Sequence, residues 1–542
     1  MQVLVLGGVA AGTKVAAKLM REDRSCEVTV LTKGKDISYA GCGLPYYVGG
    51  VIQAKSQLIV NTPEKFAALT GASVKTETEV VAVHPDRHVV EAKDLNTGEV
   101  AEYGYDKLVI ATGASPFVPP IQGLDLKNVF VMRTPDDAIG LREAVEAGEI
   151  KRAVVAGGGF IGLEVAENLA AKGVKTTVID FAPHVLPNFL DPELSEFVEN
   201  RMAEAGVMPM TGVSLEGVEG DGKVEKVLTS KRGIKADALV LAIGIRPNTG
   251  FLEGSGIEML KGTILTDQYL RTNVPDVYAA GDCAMVANRQ TGKAAWSPMG
   301  STANIAGRVL AKDIAGKEIV YPGVLGTGVA KLPGGLNAGR TGLTETAARA
   351  EGCDVETVVA VVDDKAHYYP GAGSFIVKLT ADKATRKLLG VQVLGAGAVD
   401  KITDIGVTAI SLGATVDQLA VMDFAYAPPF STAIHPFAHS VNILMNKLDG
   451  ELETFTPEEF AAGAAEGYEI IDCAIEPSLP GKKYLNLTKV DGEVPGLGRE
   501  DKLLLVCAKG KRAYLTQNRL KFYGYVNTRV LEGGTTFNEI EE

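Results

Sequence analysis

Apolar residues in the first thirty positions come as a short run, QVLVL, then a glycine-rich turn, GGVAAG, an Ala-rich stretch, TKVAAKLMRED, and a second apolar run, EVTVLT. Strand, tight turn, helix and strand in that order predict the opening βαβ unit of a doubly wound parallel sheet. The order returns at RAVVA, GGGFIG, LEVAENLAAKG and KTTVID, which predicts a second nucleotide-binding unit. Between the two lies YDKLVIATGASP, a buried strand ending in a glycine turn, with ADALVLAIGIRPNT as its counterpart after the second unit and TNVPDVYAAGDCA beyond that. From about Tyr321 to Leu448 the pattern changes to strands plus one long helix, and the acidic DGELETFTPEEF then links to a last unit of about 90 residues, a separate domain by size.

Length agrees with that division, since 542 residues exceed what one core organises. The expected domains are a flavin-type nucleotide fold over 1–115 and 245–320, a second nucleotide fold over 116–244, an α+β domain over 321–448 and a small α/β domain over 453–542. A net charge of −13 argues against a nucleic-acid or anionic-membrane surface, either of which needs a Lys/Arg excess. No apolar run approaches a membrane span and the chain opens in a strand, so the expected location is cytoplasmic. Six cysteines, with no CxxC pair, suit neither a disulfide framework nor a zinc site.

Gly157, Gly159 and Gly162 give G-x-G-x-x-G between a strand and a helix, where backbone N–H groups and the helix N-terminus can hold a pyrophosphate. Asp180 closes the next strand, placed to accept ribose hydroxyls and to repel a 2′-phosphate, so NADH is expected rather than NADPH. In the first turn Gly7 and Gly12 are in place, Val9 replaces the middle glycine, and Thr32 stands where an acid is expected. The ATG turn and the GD motif still favour a flavin there, with Asp282 on a sugar-like hydroxyl chain.

Together these residues resemble the pyridine nucleotide-disulfide oxidoreductases over about residues 1 to 447, and SYAGCGLPYY is similar to the single-cysteine branch of coenzyme A-disulfide reductases, NADH oxidases and NADH peroxidases. The resemblance implies FAD contacts at Gly7, Gly8, Gly12, Thr32, Lys33, Val80, Ala111, Thr112, Gly113, Asp282 and Ala303, and NADH contacts at Gly157, Gly159, Gly162, Asp180 and Gly244. Tyr47 stands where two-cysteine members carry their second cysteine, so Cys42 is expected to cycle through a mixed disulfide, persulfide or sulfenic acid. Ala10 occupies the position of the histidine that peroxidases and oxidases of the family use, which argues against peroxide as main substrate.

Tyr368, Tyr369 and Tyr426 resemble the tyrosines that coenzyme A-disulfide reductases place near the active cysteine, the second set from a partner subunit; Tyr369 and Tyr426 are the expected catalytic phenols, with aromatic packing at a dimer contact as the alternative. A homodimer with the active site completed across its interface follows from this resemblance. Lys14, Lys18 and Arg21 share one helix face and can meet the phosphates of coenzyme A, or form a solvated stripe, and Ser38 is implied as a thiol contact. Gly41 replaces the family's asparagine before the cysteine. His435 and His439 lack a third metal ligand, and Ser440 replaces the glutamate that supports a His-Pro base.

The C-terminal unit resembles a rhodanese domain in EIIDC, LLLVCAKGKRAYLTQNRL and VNTRVLEGG. Cys507 ends an apolar strand, and Lys509, Lys511, Arg512 and a helix N-terminus favour a thiolate or persulfide there. Ala474 replaces the arginine of the family's D-x-R turn. The expectation is an α/β flavoprotein with two doubly wound domains, an α+β dimerisation domain and a rhodanese-like domain. It would use FAD and NADH to reduce coenzyme A disulfide, coenzyme A persulfide or polysulfide, with an NADH oxidase or peroxidase as the alternative.

Overall fold

The computed structural model describes residues 1–540, in two compact units: Met1–Pro183 with Gly206–Leu325, and His184–Ala205 with the chain from Gly326 onward.

The first unit holds two five-stranded parallel sheets. One runs in the order Val277–Ala279, Lys107–Ile110, Gln2–Leu6, Glu27–Leu31, Ser73–Lys75. Val3 to Leu6 are all buried, which is why the run is continuously apolar: a central parallel strand is covered on both faces. Gln2–Leu6 is also where strand order reverses, and such a switch point opens a crevice at the strands' carboxyl ends. The second sheet repeats the plan in the order Met208–Met210, Lys175–Ile179, Arg152–Ala156, Ala238–Leu241, Val129–Val131.

The second unit holds an antiparallel sheet, Gly328–Leu332, Leu336–Gly342, Leu388–Gly395, Ser374–Asp382, Val355–Asp363, with the helices Val399–Leu412 and Pro436–Leu448 packed on it. A parallel sheet follows, in the order Thr454–Phe455, Thr528–Leu531, Leu503–Val506, Glu469–Asp472, Lys483–Tyr484. The acidic stretch expected as a connection is therefore corrected in part: Thr454–Phe455 is the edge strand of this sheet, and Pro457–Ala461 is a helix capped by Thr456 and Glu459. Glu532 explains why that stretch is held. It is 4% exposed and accepts from Lys447 Nζ at 2.8 Å, Thr454 Oγ1 at 2.6 Å and the Val359 N–H at 2.7 Å.

A second buried cluster anchors the segment His184–Ala205. Lys378, 3% exposed, lies 2.5 Å from Glu193 Oε1, 2.8 Å from Glu345 Oε2 and 3.1 Å from Asp191 Oδ2. Burial acts against every charge here, but Lys378 and the hydrogen bonds from Thr346 and Gln392 hold the Asp191 carboxyl down at about 2. One cation thus serves three acids. Lys378→Met should destabilise this unit by about 3–5 kcal/mol, because it leaves buried carboxylates uncompensated. Urea unfolding measures this, and an unmoved midpoint would show that the cluster contributes nothing.

Candidate active site

Several helices here start with a side-chain cap. Pro135–Glu146 has Thr134 and Asp137 closing its first turn, and Glu345–Ala350 has Thr344. The two that follow the glycine turns, Ala10–Glu22 and Phe160–Ala171, have neither a capping side chain nor an acid in the first turn. Their leading N–H groups are left for an anion.

The turns are built without side chains for a steric reason. Gly7 adopts φ +117°, and a Cβ there would lie 2.1 Å from Ala111 O; a Cβ on Gly12 would lie 1.9 Å from Gly7 O. Gly157 and Gly162 repeat this, at 2.2 Å from Ala242 O and 1.9 Å from Gly157 O. Val9 does not disturb the first turn, because it sits at the helix N-cap position. These cradles fit the pyrophosphates of two dinucleotides.

Around the first turn, a Cβ on Gly8 would meet Thr32 and Ile37, and Thr32 is buried with its N–H on Lys75 O. The Ala111–Gly113 turn is fixed by Asn248, whose N–H donates to Gly113 O at 2.9 Å and whose Nδ2 donates to Thr112 O at 3.0 Å. Ala303 is buried in the helix Gly300–Ile314, and Val80 lies on Thr78–His84. Lys33 pairs with Glu79 at 2.7 Å. Asp282 sits at the end of the neighbouring strand, its Oδ2 3.0 Å from Arg133. Arg133 was not legible as a site residue, since 149 positions separate the pair.

At the second turn, Asp180 Oδ2 accepts the Gly158 N–H at 2.6 Å, which sets the carboxylate beside the bend where an adenosine ribose would lie. Gly159 is the N-cap residue of Phe160–Ala171. Gly244, at φ +114°, closes the strand end opposite, its carbonyl accepting the Phe117 N–H at 2.9 Å.

Cys42 lies between the turns. The Ser38 N–H donates to Gly8 O at 2.8 Å, tying its loop to the first turn, and Ser38 takes φ +50°, a left-handed conformation uncommon for a residue with a side chain. Cys42 then occupies the short 3₁₀ turn Gly41–Gly43, and the helix Leu44–Val48 carries the chain against Phe160–Ala171. There Tyr46 Oη donates to Glu164 Oε1 at 2.9 Å, and a Cβ on Gly49 would collide with Asn168 at 1.9 Å. Nothing lies within 4 Å of a Cβ on Gly41, so packing does not demand glycine where the family has asparagine.

Cys42 is exposed, whereas Cys26, Cys283, Cys473 and Cys507 are buried. Desolvation pushes its thiol up, the Glu164 and Asp282 carboxylates push it further, and Arg133 opposes them. Burial likewise raises the Glu164 carboxyl. Glu164 and Tyr46, like Arg133, are site residues that sequence reasoning missed. Their signal was the acid immediately inside the second glycine turn, in GGGFIGLE.

On the first helix the open cationic face needs correction. Lys18 is committed to Glu22, which also takes Lys317 at 2.5 Å and is held down at about 2 by the two lysines. Lys14 and Arg21 remain half-buried and exposed on that helix.

In the second unit Tyr368 and Tyr426 are exposed and hydrogen-bonded to each other, which raises the Tyr426 phenol, and Tyr369 is 38% exposed beside them in sequence. Val421, Phe430 and Ile434 are exposed too. His435 accepts the Phe437 N–H at its Nδ1 and stacks on Phe424; burial and Lys401 push it down to about 4, so it caps a helix as a neutral ring. Cys507 follows Leu503–Val506 at 4% exposure. Its loop is less freely cationic than expected, because Lys509 Nζ is bound to Asp363 at 2.5 Å and Ser374 at 2.7 Å. Asp472 accepts from the N–H groups of Ala474, Ser478 and Leu479. No helix among the described residues is long and apolar enough to cross a membrane, and no group of acids, histidines and cysteines among them is placed to hold a metal.

Two open dinucleotide cradles meeting at one exposed thiol define an oxidoreductase that uses two dinucleotide cofactors. Residues 1–300 match the family described as pyridine nucleotide-disulphide oxidoreductase, and residues 334–438 match its dimerisation domain. The chain belongs to the pyridine nucleotide-disulphide oxidoreductases and is an enzyme of that type, with FAD and NADH as cofactors. It is 34% identical to an NADH oxidase of Methanocaldococcus jannaschii over 83% of this chain and 100% of that one. It is 36% identical to the NAD(P)H coenzyme A polysulfide/persulfide reductase of Pyrococcus horikoshii over 82% of this chain and 98% of that one. Among solved structures, an NAD-dependent persulfide reductase from A. fulgidus superposes with a TM-score of 0.93 at 36% identity, covering 99% of this chain and 100% of that one. That likeness includes the C-terminal sheet, which lies beyond both matched family segments.

Proposed function

We propose that this enzyme uses NADH to reduce coenzyme A disulfide, coenzyme A persulfide or polysulfide through Cys42, and that its C-terminal domain is a rhodanese handling sulfane sulfur at Cys507. The observation that carries the reading is the placement of Cys42: an exposed thiol on a loop tied to one glycine turn and packed against the helix of the other. Bound FAD would supply the two-electron relay between NADH and sulfur.

The chain's own residues have separate parts. Gly7, Gly8 and Gly12 with the uncapped helix would hold the flavin pyrophosphate, and Asp282 a ribityl hydroxyl. Gly157, Gly159, Gly162 and Asp180 would hold NADH. Cys42 would form the mixed disulfide or persulfide with substrate. Tyr46 and Glu164, hydrogen-bonded beside it, form a proton-holding pair for a departing thiolate. Lys14, Arg21 and Ser38 would meet the coenzyme A moiety. In a homodimer, Tyr369 and Tyr426 would come to Cys42 from the partner subunit, and the exposed apolar side chains around Tyr426 suit such burial. Support for the substrate comes from the named activities of the Pyrococcus and A. fulgidus proteins.

The deciding experiment is steady-state NADH oxidation compared across coenzyme A disulfide, coenzyme A persulfide, polysulfide, peroxide and oxygen. The thiol derivatives or polysulfide should give the highest kcat/KM. The second reading, an NADH oxidase, is favoured by the Methanocaldococcus relative and opposed by Ala10. Oxygen uptake matching NADH consumption without any sulfur acceptor would establish it instead.

Cofactor choice offers a further check. Asp180→Ala should narrow the preference for NADH over NADPH at least tenfold, about 1.4 kcal/mol, by removing a charge that repels the 2′-phosphate. A wild-type enzyme that already prefers NADPH would contradict this role.

A further inference from the structure

The strands Glu469–Asp472 and Leu503–Val506 are parallel neighbours, with Ile471 opposite Leu505 and Asp472 opposite Val506. The ladder continues one step, because the Cys473 N–H donates to Val506 O at 2.7 Å. Next in that register stand Cys473 and Cys507. Pleating sends Ile471, Cys473, Leu505 and Cys507 to one face, and all four share one core cluster. Adjacent strands lie about 4.8 Å apart, inside the Cα separation that a disulfide bridges. Arg512, on the helix after Cys507, donates from Nε to Cys473 O at 3.1 Å and ties the two segments together. Burial pushes the Cys473 thiol up to about 12, the negative charges of Cys507 and Asp472 adding to it and a hydrogen bond with Thr516 opposing it.

We propose that Cys473 is the resolving cysteine of Cys507: it collapses a persulfide on Cys507 into a Cys473–Cys507 disulfide and expels sulfide. This rests on the reading that Cys507 accepts sulfane sulfur. Cys473 loses its proton and its sulfur attacks Cys507 Sγ. The bond from Cys507 Sγ to the outer sulfur breaks, and that sulfur leaves with the electron pair as hydrosulfide, which takes up the proton. The sulfane sulfur is reduced by two electrons, and the cysteine pair supplies them by becoming a disulfide. One small dithiol, or two thiols, restores the pair and is oxidised in turn. Because Cys473 is protonated at neutral pH, transfer of the outer sulfur to an entering thiol precedes collapse, and the disulfide forms when no acceptor arrives.

The test uses the full chain in a Cys42→Ser background without NADH. It is mixed with thiosulfate or, separately, inorganic polysulfide, alkylated under denaturing conditions and mapped by mass spectrometry while released sulfide is measured. The chain with both C-terminal cysteines should give cross-linked Cys473 and Cys507 peptides and one sulfide per cross-link. Cys473→Ser and Cys473→Ala should both retain the persulfide on Cys507 and release at least tenfold less sulfide. A persulfide that never cross-links, or sulfide release unchanged in both variants, overturns the resolving role and leaves Cys507 as an acceptor. If Cys507 stays unmodified even in the Cys473 variants, the acceptor reading fails and the resolving role with it.

Discussion

Cys42→Ser is expected to lower NADH-dependent reduction of every sulfur acceptor at least a thousandfold, about 4 kcal/mol in the barrier, while FAD stays bound. The Cys42 thiol sits on the loop that joins the two cradles, and a serine hydroxyl can form neither a disulfide nor a persulfide. Flavin retention is expected, since the first turn is built on Gly7, Gly8 and Gly12 and the Ala111–Gly113 turn is held by Asn248, neither by the cysteine. The reduced wild-type enzyme should also show a long-wavelength absorption band that the variant lacks, because only a thiolate near the flavin can donate into it. Steady-state assays and spectra of the same samples decide the matter. Turnover surviving in the variant removes Cys42 from the mechanism.

Cys507→Ser is expected to give the opposite pattern. Sulfurtransfer from thiosulfate or a persulfide donor should be eliminated, whereas reduction of preformed coenzyme A disulfide or persulfide should continue within about twofold. The reason lies in the surroundings: Cys507 follows a parallel strand of the C-terminal sheet in the second unit, whereas both dinucleotide turns belong to the first. Paired assays of the two single variants separate the roles. If Cys507→Ser impairs reduction of preformed small substrates as severely as Cys42→Ser does, the two domains share one catalytic centre.

The glycine turns were legible because their chemistry is local. Gly7 with Gly12, and Gly157 with Gly162, are each a few residues apart, and the collisions that exclude side chains there are fixed by the βαβ turn itself. Asp180 was legible for the same reason. What stayed hidden joins residues far apart in sequence. Arg133 with Asp282, Tyr46 with Glu164, and Lys378 with its three acids exist only once sheets and helices are packed, and no spacing rule reaches across such intervals. Counting charges along a helix or loop likewise does not show that an acid four residues on, or one on another strand, pairs with Lys18 or Lys509. Cys473 was visible as a residue and invisible as a partner, since its relation to Cys507 is one of strand register.

The Glu532 cluster changes what it means to remove the C-terminal sheet. A cut after Leu448 separates two domains on paper, yet it strips Lys447 of the 2.8 Å carboxylate that neutralises it and leaves the Val359 N–H without its acceptor. The remaining fragment keeps Lys447 with Glu356 as its neighbour at 3.1 Å and gains an uncovered patch on the antiparallel sheet. Such a fragment is not the shorter enzyme of which this chain is an extended version; it is a damaged one, whose loss of activity would say nothing about sulfur chemistry at Cys507 unless the seam were first repaired.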